Sequence, residues 1–239
     1  MHMNYNGSTG VLATKILCYH YDEPLDFDLH ERLFSLVDDR KREMLEKYRL
    51  LDDSHRSLIA DVLLRSLIAE KLKCSLDSVL FRYGGNGKPL LAEGCGIYVN
   101  ASHSRDWVVA AIGDSDLGID IERIGNVELC VAERFFSDRE LVAIRIGDGD
   151  FALRTMCATW ALKESYAKLL GLGLKLDLRS FTATIESGKI AVSKDLDKYT
   201  FWLFEVAQEY CLALCKRKRQ TQDIRFEYVD VDFLRRLIL

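Results

Sequence analysis

The sequence predicts an α+β fold, and three observations carry that prediction. Three segments, at about 28–48, 53–72 and 151–170, read as helices, the first two from periodic apolar residues and the third from an unbroken run that stops at a glycine. Between Phe81 and Arg123 the texture changes to short apolar runs broken by turn residues. A second group of such runs follows the last helical segment, and helices beside separate groups of strands make the class α+β.

The first helix is expected from about Asp28 to Tyr48, a charged stretch with periodic Leu and Phe. The second, from about Asp53 to Leu72, repeats Leu58, Ile59, Val62, Leu63, Leu67 and Ile68 at helical spacing. Asp53 and Ser54 stand where caps would, which puts His55 and Arg56 in the first turn. Cations there oppose the helix dipole, and the placement makes sense if an anion binds, because first-turn amides plus Arg form a phosphate site. A surface Arg beside a semi-buried His is the competing reading. The runs FRYG, GNGKP, IYVNAS, WVVAAI, GDSD and LGIDIERI then read as antiparallel strands and their turns. Gly84, Gly85, Gly87 and Lys88, ended by Pro89, either close a hairpin or let the backbone approach a phosphate. After a charged, irregular stretch, Phe151–Leu170 lacks proline and glycine and stops at Gly171, a natural helix terminus. Residues 181–185, 189–192, 200–205 and 210–214 form the second group of strands, and the basic run Lys216–Arg219 reads as a solvated turn.

At 239 residues the chain is long enough for one large domain or two small ones. With 33 Lys+Arg against 37 Asp+Glu it is not a strongly basic nucleic-acid binder, and neither half is a polycation. No apolar run approaches the roughly 20 residues of a membrane span, and the start MHMNYNGSTG lacks a signal pattern. The seven cysteines are odd in number, dispersed and without a CxxC pair, which fits reduced thiols in the cytoplasm; Cys211 and Cys215 read as core.

In LGIDIERI, side chains two apart share a face, so Leu117, Ile119 and Ile121 point one way and Asp120 and Glu122 the other. Two carboxylates then stand about 7 Å apart at their Cα atoms. Such a pair repels itself unless a cation sits between, and hard oxygen ligands suit Mg²⁺; an isolated D-x-E is more often a solvated sheet face. Glu164 and Lys168 lie one turn apart on the 151–170 helix, with Trp160 a turn earlier, and add a third carboxylate and an ammonium, or else a simple surface ion pair. Asn100, Ser102, His103 and Ser104 close a strand with a cluster of polar groups suited to phosphate or adenine. No nucleophile elbow or oriented triad appears, which sets acyl-enzyme chemistry aside.

Taken in order, the motifs Lys-Arg-Glu at 41–43, His-Arg at 55–56, Gly-Lys-Pro at 87–89, NASHS at 100–104, GIDIE at 118–122 and WALKESYAK at 160–168 strongly resemble the surfactin-synthetase-activating type of 4'-phosphopantetheinyl transferase. The resemblance spans about residues 40–175, and the length matches the double-length, monomeric branch. It implies two similar α+β halves related by a pseudo-twofold axis, each a small antiparallel sheet packed with helices. It also implies halves at 1–115 and 116–239, with the active site in the cleft between them. Family members move the phosphopantetheine arm of coenzyme A onto a serine of an apo acyl or peptidyl carrier protein and release adenosine 3',5'-bisphosphate.

By the same resemblance, Asp120, Glu122 and Glu164 are Mg²⁺ ligands, and Glu164 or a water held by Glu122 is the base. Lys168 binds the pyrophosphate and stabilises or protonates the departing bisphosphate, with support from Lys163. Lys41, Tyr83, Lys88, Pro89, Asn100, Ser102 and His103 match the stretches that hold the nucleotide, and Lys41 and His103 take the 3'-phosphate. Arg56 and Ser57 stand near that phosphate. Where relatives often carry a second lysine, this chain has Met44. The carrier surface maps onto Gly171–Trp202, with Lys175, Arg179, Leu174 and Leu176 as contacts. A metal-dependent phosphodiesterase and a non-catalytic coenzyme A binding module are the alternatives.

Overall fold

In the computed structural model, residues 13–91, 95–186, 189–193, 196–218 and 223–239 are described. The start MHMNYNGSTG lies outside them, as do Arg219 and four residues of the expected carrier surface. The first strand, β1 (Thr14–His20), is buried on both faces: Ile16 and Cys18 point into one core, Leu17 and Tyr19 into another. Alternation along a strand produces this division, and it requires apolar layers on both sides of the sheet.

Two helices follow where one was expected. Helix α1 (Phe27–Leu36) starts at Asp26, whose side chain accepts from Leu29 N, and α2 (Asp39–Leu45) starts at Asp38, which accepts from Lys41 N. Val37 and Asp38 are extended, so the cap at Asp38 breaks the segment and starts a new helix. Helix α3 (Leu51–Leu72) begins two residues earlier than its expected caps. Asp52 and Asp53 occupy its first turn and complement the dipole, while His55 and Arg56 fall in the second turn. Ser54 does not cap; its hydroxyl donates to Leu45 O (3.2 Å). From Ser57 to Ala69 every residue of α3 is buried.

A two-stranded hairpin, β2 (Arg82–Tyr83) and β3 (Pro89–Leu90), precedes β4 (Tyr98–Ser104), β5 (Trp107–Gly113) and β6 (Leu117–Arg123). The stretch read as irregular holds α4 (Leu129–Phe135) and α5 (Asp138–Ile146). They are too short to display a helical period, although Ser137 and Glu140 form a capping box that a motif search detects. Helix α6 (Gly149–Leu170) ends at Gly171 in the left-handed conformation (φ 68°). Then come β7 (Ala183–Glu186), β8 (Lys189–Val192), β9 (Tyr199–Val206) and β10 (Tyr210–Arg217), all antiparallel in their pairings. Lys216 lies in β10, 3 % exposed and paired with Asp114 (2.6 Å), so the basic run does not begin as a solvated turn. The chain ends with β11 (Ile224–Val229) and α7 (Val231–Arg236), elements the periodicity did not reveal.

The main sheet has the order β11-β1-β5-β4 and the second β6-β10-β9. Its β1–β11 pair is parallel, which brings the chain's last strand back to its first. Helix α3 covers one face of the main sheet, and α6 covers the outer face of the second. Between the sheets, Ile16, Cys18, Val109 and Ala111 meet Ile119, Ile121, Leu212 and Leu214.

The sheets also adjoin along β4 and β6, where side chains of β4 replace ladder bonds. Asn100 Oδ1 accepts from Ile119 N (2.8 Å) and Ser104 Oγ from Arg123 N (3.3 Å). This seam positions the polar face of β6.

Candidate functional site

Alternation along β6 buries Leu117, Ile119 and Ile121 completely and turns Asp120 and Glu122 toward the seam, as the sequence predicts. Gly118 lets α6 lie directly on β6, because a Cβ there would overlap Ser165 O and Leu169 N. That contact sets Glu164 and Lys168, one turn apart on α6, beside the carboxylates of β6. Lys168 Nζ lies 2.6 Å from Asp120 Oδ1 and donates to Ser102 Oγ (2.7 Å), whose own hydroxyl donates to Asp120 Oδ1 (2.9 Å). Ser104 Oγ donates to Glu122 Oε2 (2.9 Å), and Asn126 Nδ2 reaches the same oxygen at 3.4 Å. Asp120 Oδ2 and Glu164 Oε1 are buried without a hydrogen-bond partner.

Electrostatics makes this group unusual. Burial pushes all three carboxyl groups up, and mutual repulsion adds to it: Asp120 raises Glu122, and both raise Glu164, which reaches about 7. Lys168 acts the other way on each. A buried oxygen without a partner costs on the order of 1–3 kcal/mol, and a hard divalent cation would relieve that cost and the repulsion together. The donor set therefore fits such an ion. As they stand, Lys168, Ser102 and Ser104 hold the carboxylates, and among the described residues no three His, Cys, Asp or Glu side chains already enclose a common point.

The β2–β3 hairpin reaches across to α6. Lys88 Nζ donates to Leu117 O (3.0 Å) and Leu169 O (2.9 Å), and Asn86 Nδ2 donates to Gly171 O (2.7 Å). Burial holds the Lys88 ammonium down to about 8. Its charge thus faces carbonyls at the C-terminal end of a helix, where a cation is favoured. A cleft of about 280 Å³ opens here, lined by Asn86, Lys88, Pro89, Asn100, Glu164 and Lys168. A larger cleft of about 440 Å³ lies beyond the end of β6, but its Arg123 and Arg154 are paired with Glu209, Asp150 and Glu205. Glu164, with its unpartnered oxygen, lines the smaller cleft.

A second polar group adjoins the first. Lys41, 8 % exposed, donates from Nζ to Ser57 Oγ (2.8 Å), which Tyr48 OH also approaches (3.3 Å). Burial lowers the Lys41 ammonium, and Asp61 and Asp38 oppose that effect. Arg56 pairs with Asp53 (2.7 Å) and donates to Arg105 O (3.1 Å). His103 is held down to about 4, first by burial and then by the charges of Lys168, Arg56 and Lys41. The imidazole is therefore neutral at pH 7 and feels both groups of cations.

Tyr83 OH donates to Asp38 Oδ2 (2.9 Å), with the Arg40 guanidinium 4.6 Å from its ring. Met44 is 41 % exposed. Lys163 is not brought to this site. It is fully buried, 2.9 Å from Glu140 Oε2, and donates to Leu178 O and Phe181 O. Its partners lie on α5 and the turn before β7, so it cannot support Lys168. Arg179 pairs with Asp138 (3.0 Å), whereas Leu174 is 62 % exposed and Lys175 is exposed. The sequence reading gave no role to Ser104 as a holder of Glu122 or to Asn126, and Asn86 entered it only as part of the Tyr83–Lys88 turn matched to nucleotide binding. The period-two repeat of Asn100, Ser102 and Ser104, matching Asp120 and Glu122, is the signal that points to Ser104.

Comparison with known proteins gives a consistent result. Residues 116–215 match the family described as the 4'-phosphopantetheinyl transferase superfamily, and residues 24–114 match that described as 4'-phosphopantetheinyl transferase, N-terminal. The chain is 34% identical over 191 residues to the 4'-phosphopantetheinyl transferase psf-1 of Bacillus pumilus, covering 79% of this chain and 82% of that protein. It is 31% identical over 204 residues to the 4'-phosphopantetheinyl transferase Sfp of Bacillus subtilis (strain 168), covering 84% and 91%. Among solved structures, a holo-(acyl-carrier-protein) synthase from Bacillus anthracis aligns with 42% of this chain and 93% of its own, at 19% identity and a TM-score of 0.36.

Proposed function

We infer the mechanism from one premise: the chain belongs to the 4'-phosphopantetheinyl transferase superfamily and is an enzyme that transfers phosphopantetheine to carrier proteins. In the reading proposed here, coenzyme A is the donor, a serine hydroxyl of an apo acyl or peptidyl carrier protein the acceptor, and adenosine 3',5'-bisphosphate the second product. One observation carries it: Asp120, Glu122 and Glu164 act on one another electrostatically, two of their oxygens are buried and unpartnered, and Lys168 stands against Asp120.

Asp120, Glu122 and Glu164 would hold Mg²⁺, which when bound supplies positive charge to a pyrophosphate and orients its phosphorus. Lys168 keeps its ammonium at Asp120 and Ser102, where it stabilises or protonates the departing bisphosphate. Glu164 or a water held by Glu122 accepts the serine proton. Lys41, Arg56, Ser57 and His103 receive the 3'-phosphate. An arriving dianion raises the His103 imidazole, so proton uptake accompanies binding. Tyr83, Pro89, Asn100 and Ser102 line the nucleotide wall, and Lys88 tethers it to α6.

In this reading residues 1–115 supply the nucleotide wall, residues 116–239 supply the cation site, and the enzyme is a cytoplasmic monomer. Leu174 and Lys175, exposed just beyond α6, meet the acidic helix that carrier proteins present beside their serine. Intact mass of an apo carrier protein incubated with the enzyme, coenzyme A and Mg²⁺ tests the proposal. A gain of one phosphopantetheine arm that Glu164→Ala and EDTA both abolish is expected. Transfer that survives both controls would overturn the assignment of the site.

A further inference from the structure

Behind Lys41 lies a buried network with no part in the scheme above. Arg65 on α3 is 1 % exposed, too deep to touch a substrate. Its Nε donates to Asp61 Oδ1 (2.6 Å), Nη1 to Val79 O (2.6 Å) and Leu76 O (3.4 Å), and Nη2 to Asp38 Oδ2 (3.4 Å). The Phe81 ring lies 5.1 Å from the guanidinium carbon. Asp38 carries the connection onward: one oxygen caps α2 through Lys41 N (3.0 Å), and the other accepts from Tyr83 OH (2.9 Å). One guanidinium therefore joins α3, the start of α2 and the segment leading into the β2–β3 hairpin.

The charges explain what this joint does. Asp61, 4 % exposed, and Asp38 both attract Lys41. Lys41 Nζ nevertheless reaches Ser57 Oγ, because Arg65 already pairs with Asp61 at 2.6 Å and Asp38 is held by Tyr83 OH and Lys41 N. Without the guanidinium, the buried Asp61 would compete for the Lys41 ammonium, since a buried carboxylate left unpaired is strongly disfavoured.

We propose that Arg65 is a positioning residue for donor recognition: by occupying Asp61 it leaves Lys41 directed at Ser57, and so sets the preference for a donor that bears a 3'-phosphate. The inference rests on the reading that Lys41 receives that phosphate. Asp61 is the second member of the device, because its charge is what Arg65 keeps from Lys41.

The test compares coenzyme A with dephospho-coenzyme A, which differ only in the 3'-phosphate, by KM and kcat in the carrier-modification assay. Arg65→Gln is expected to raise KM for coenzyme A about tenfold, the scale of one charge-assisted hydrogen bond. KM for dephospho-coenzyme A and kcat stay within about twofold in the same variant, because Lys41 acts only on the 3'-phosphate. The double variant Arg65→Gln/Asp61→Asn, which removes the competing carboxylate with the guanidinium, restores the preference. Arg65→Lys keeps the charge and serves if Arg65→Gln does not fold; it retains part of the preference.

A fall in kcat alone, an equal rise of both KM values, or no rescue by Asp61→Asn would overturn the inference and make Arg65 purely structural. Lys41→Met separates the two claims. If it leaves the preference intact, the reading of Lys41 falls and the inference with it. If it abolishes the preference while the Arg65 variants do not, only the inference falls.

Discussion

Replacing Gly118 by alanine tests the link between packing and chemistry with a single methyl group. The added Cβ would meet Leu169 Cα at 3.0 Å and lie closer still to Ser165 O and Leu169 N, all backbone atoms of α6. No rotamer can relieve that overlap, so α6 must move away from β6 by about 1 Å, on the scale at which overpacking costs ~1–3 kcal/mol. The neighbours are backbone on both sides, which argues for the upper end. For a chain of this size ~2–3 kcal/mol lowers Tm by roughly 5–10 °C.

The larger effect falls on the site, because Glu164 and Lys168 ride on α6 while Asp120 and Glu122 ride on β6. The Lys168–Asp120 contact of 2.6 Å is lost, and misplacement of about 1 Å in a reacting constellation costs about 100-fold in rate. Thermal melting followed by circular dichroism measures the first effect, and carrier modification well below Tm measures the second. Gly118→Ala with wild-type Tm and wild-type kcat would refute the claim that this contact aligns the two halves of the site.

Three further outcomes are expected. Lys163→Met leaves Glu140 buried without its cation, at a cost of about 3–5 kcal/mol, yet kcat/KM of the folded fraction stays near wild type; a selective loss of kcat would return Lys163 to the active site. His103 makes the protein less stable in acid. Its imidazole titrates at 6.5 when exposed and about 4 in the fold, so between those values the unfolded chain binds more protons and stability falls as pH falls, by order of 3 kcal/mol. Glu164, raised from 4.5 to about 7, acts in the opposite sense over nearly the same range. The difference between wild type and His103→Gln in urea titrations from pH 7 to 4 isolates the histidine, and a pH-independent difference would contradict the assignment. Mg²⁺ at about 100 times its Kd should add ~2.7 kcal/mol of stability, detected as a rise in Tm that Asp120→Asn and Glu164→Gln remove; an equal rise in those variants would place the ion elsewhere.

The sequence by itself determined the elements whose signal is local. Alternation in 117–123 assigned the two faces of β6, the run ending at Gly171 delimited α6, and i, i+4 spacing paired Glu164 with Lys168. Ordered motifs then pointed to the family. Short helices α4 and α5, and the return of β11 to β1, left no such mark, because seven to nine residues hold too little period and a parallel pairing partner is set by distant chain. Tertiary structure alone decided which charges meet. Helical spacing puts Lys163 and Lys168 of WALKESYAK on different sides of α6, but only the packing shows that one enters a buried pair with Glu140 and the other meets Asp120. Lys88 falls in a stretch matched to nucleotide binding but folds back onto two carbonyls. Sequence spacing fixes which side chains share a face of one element; what that face meets depends on packing between elements far apart in the chain, and burial there shifts the pKa values on which the chemistry depends.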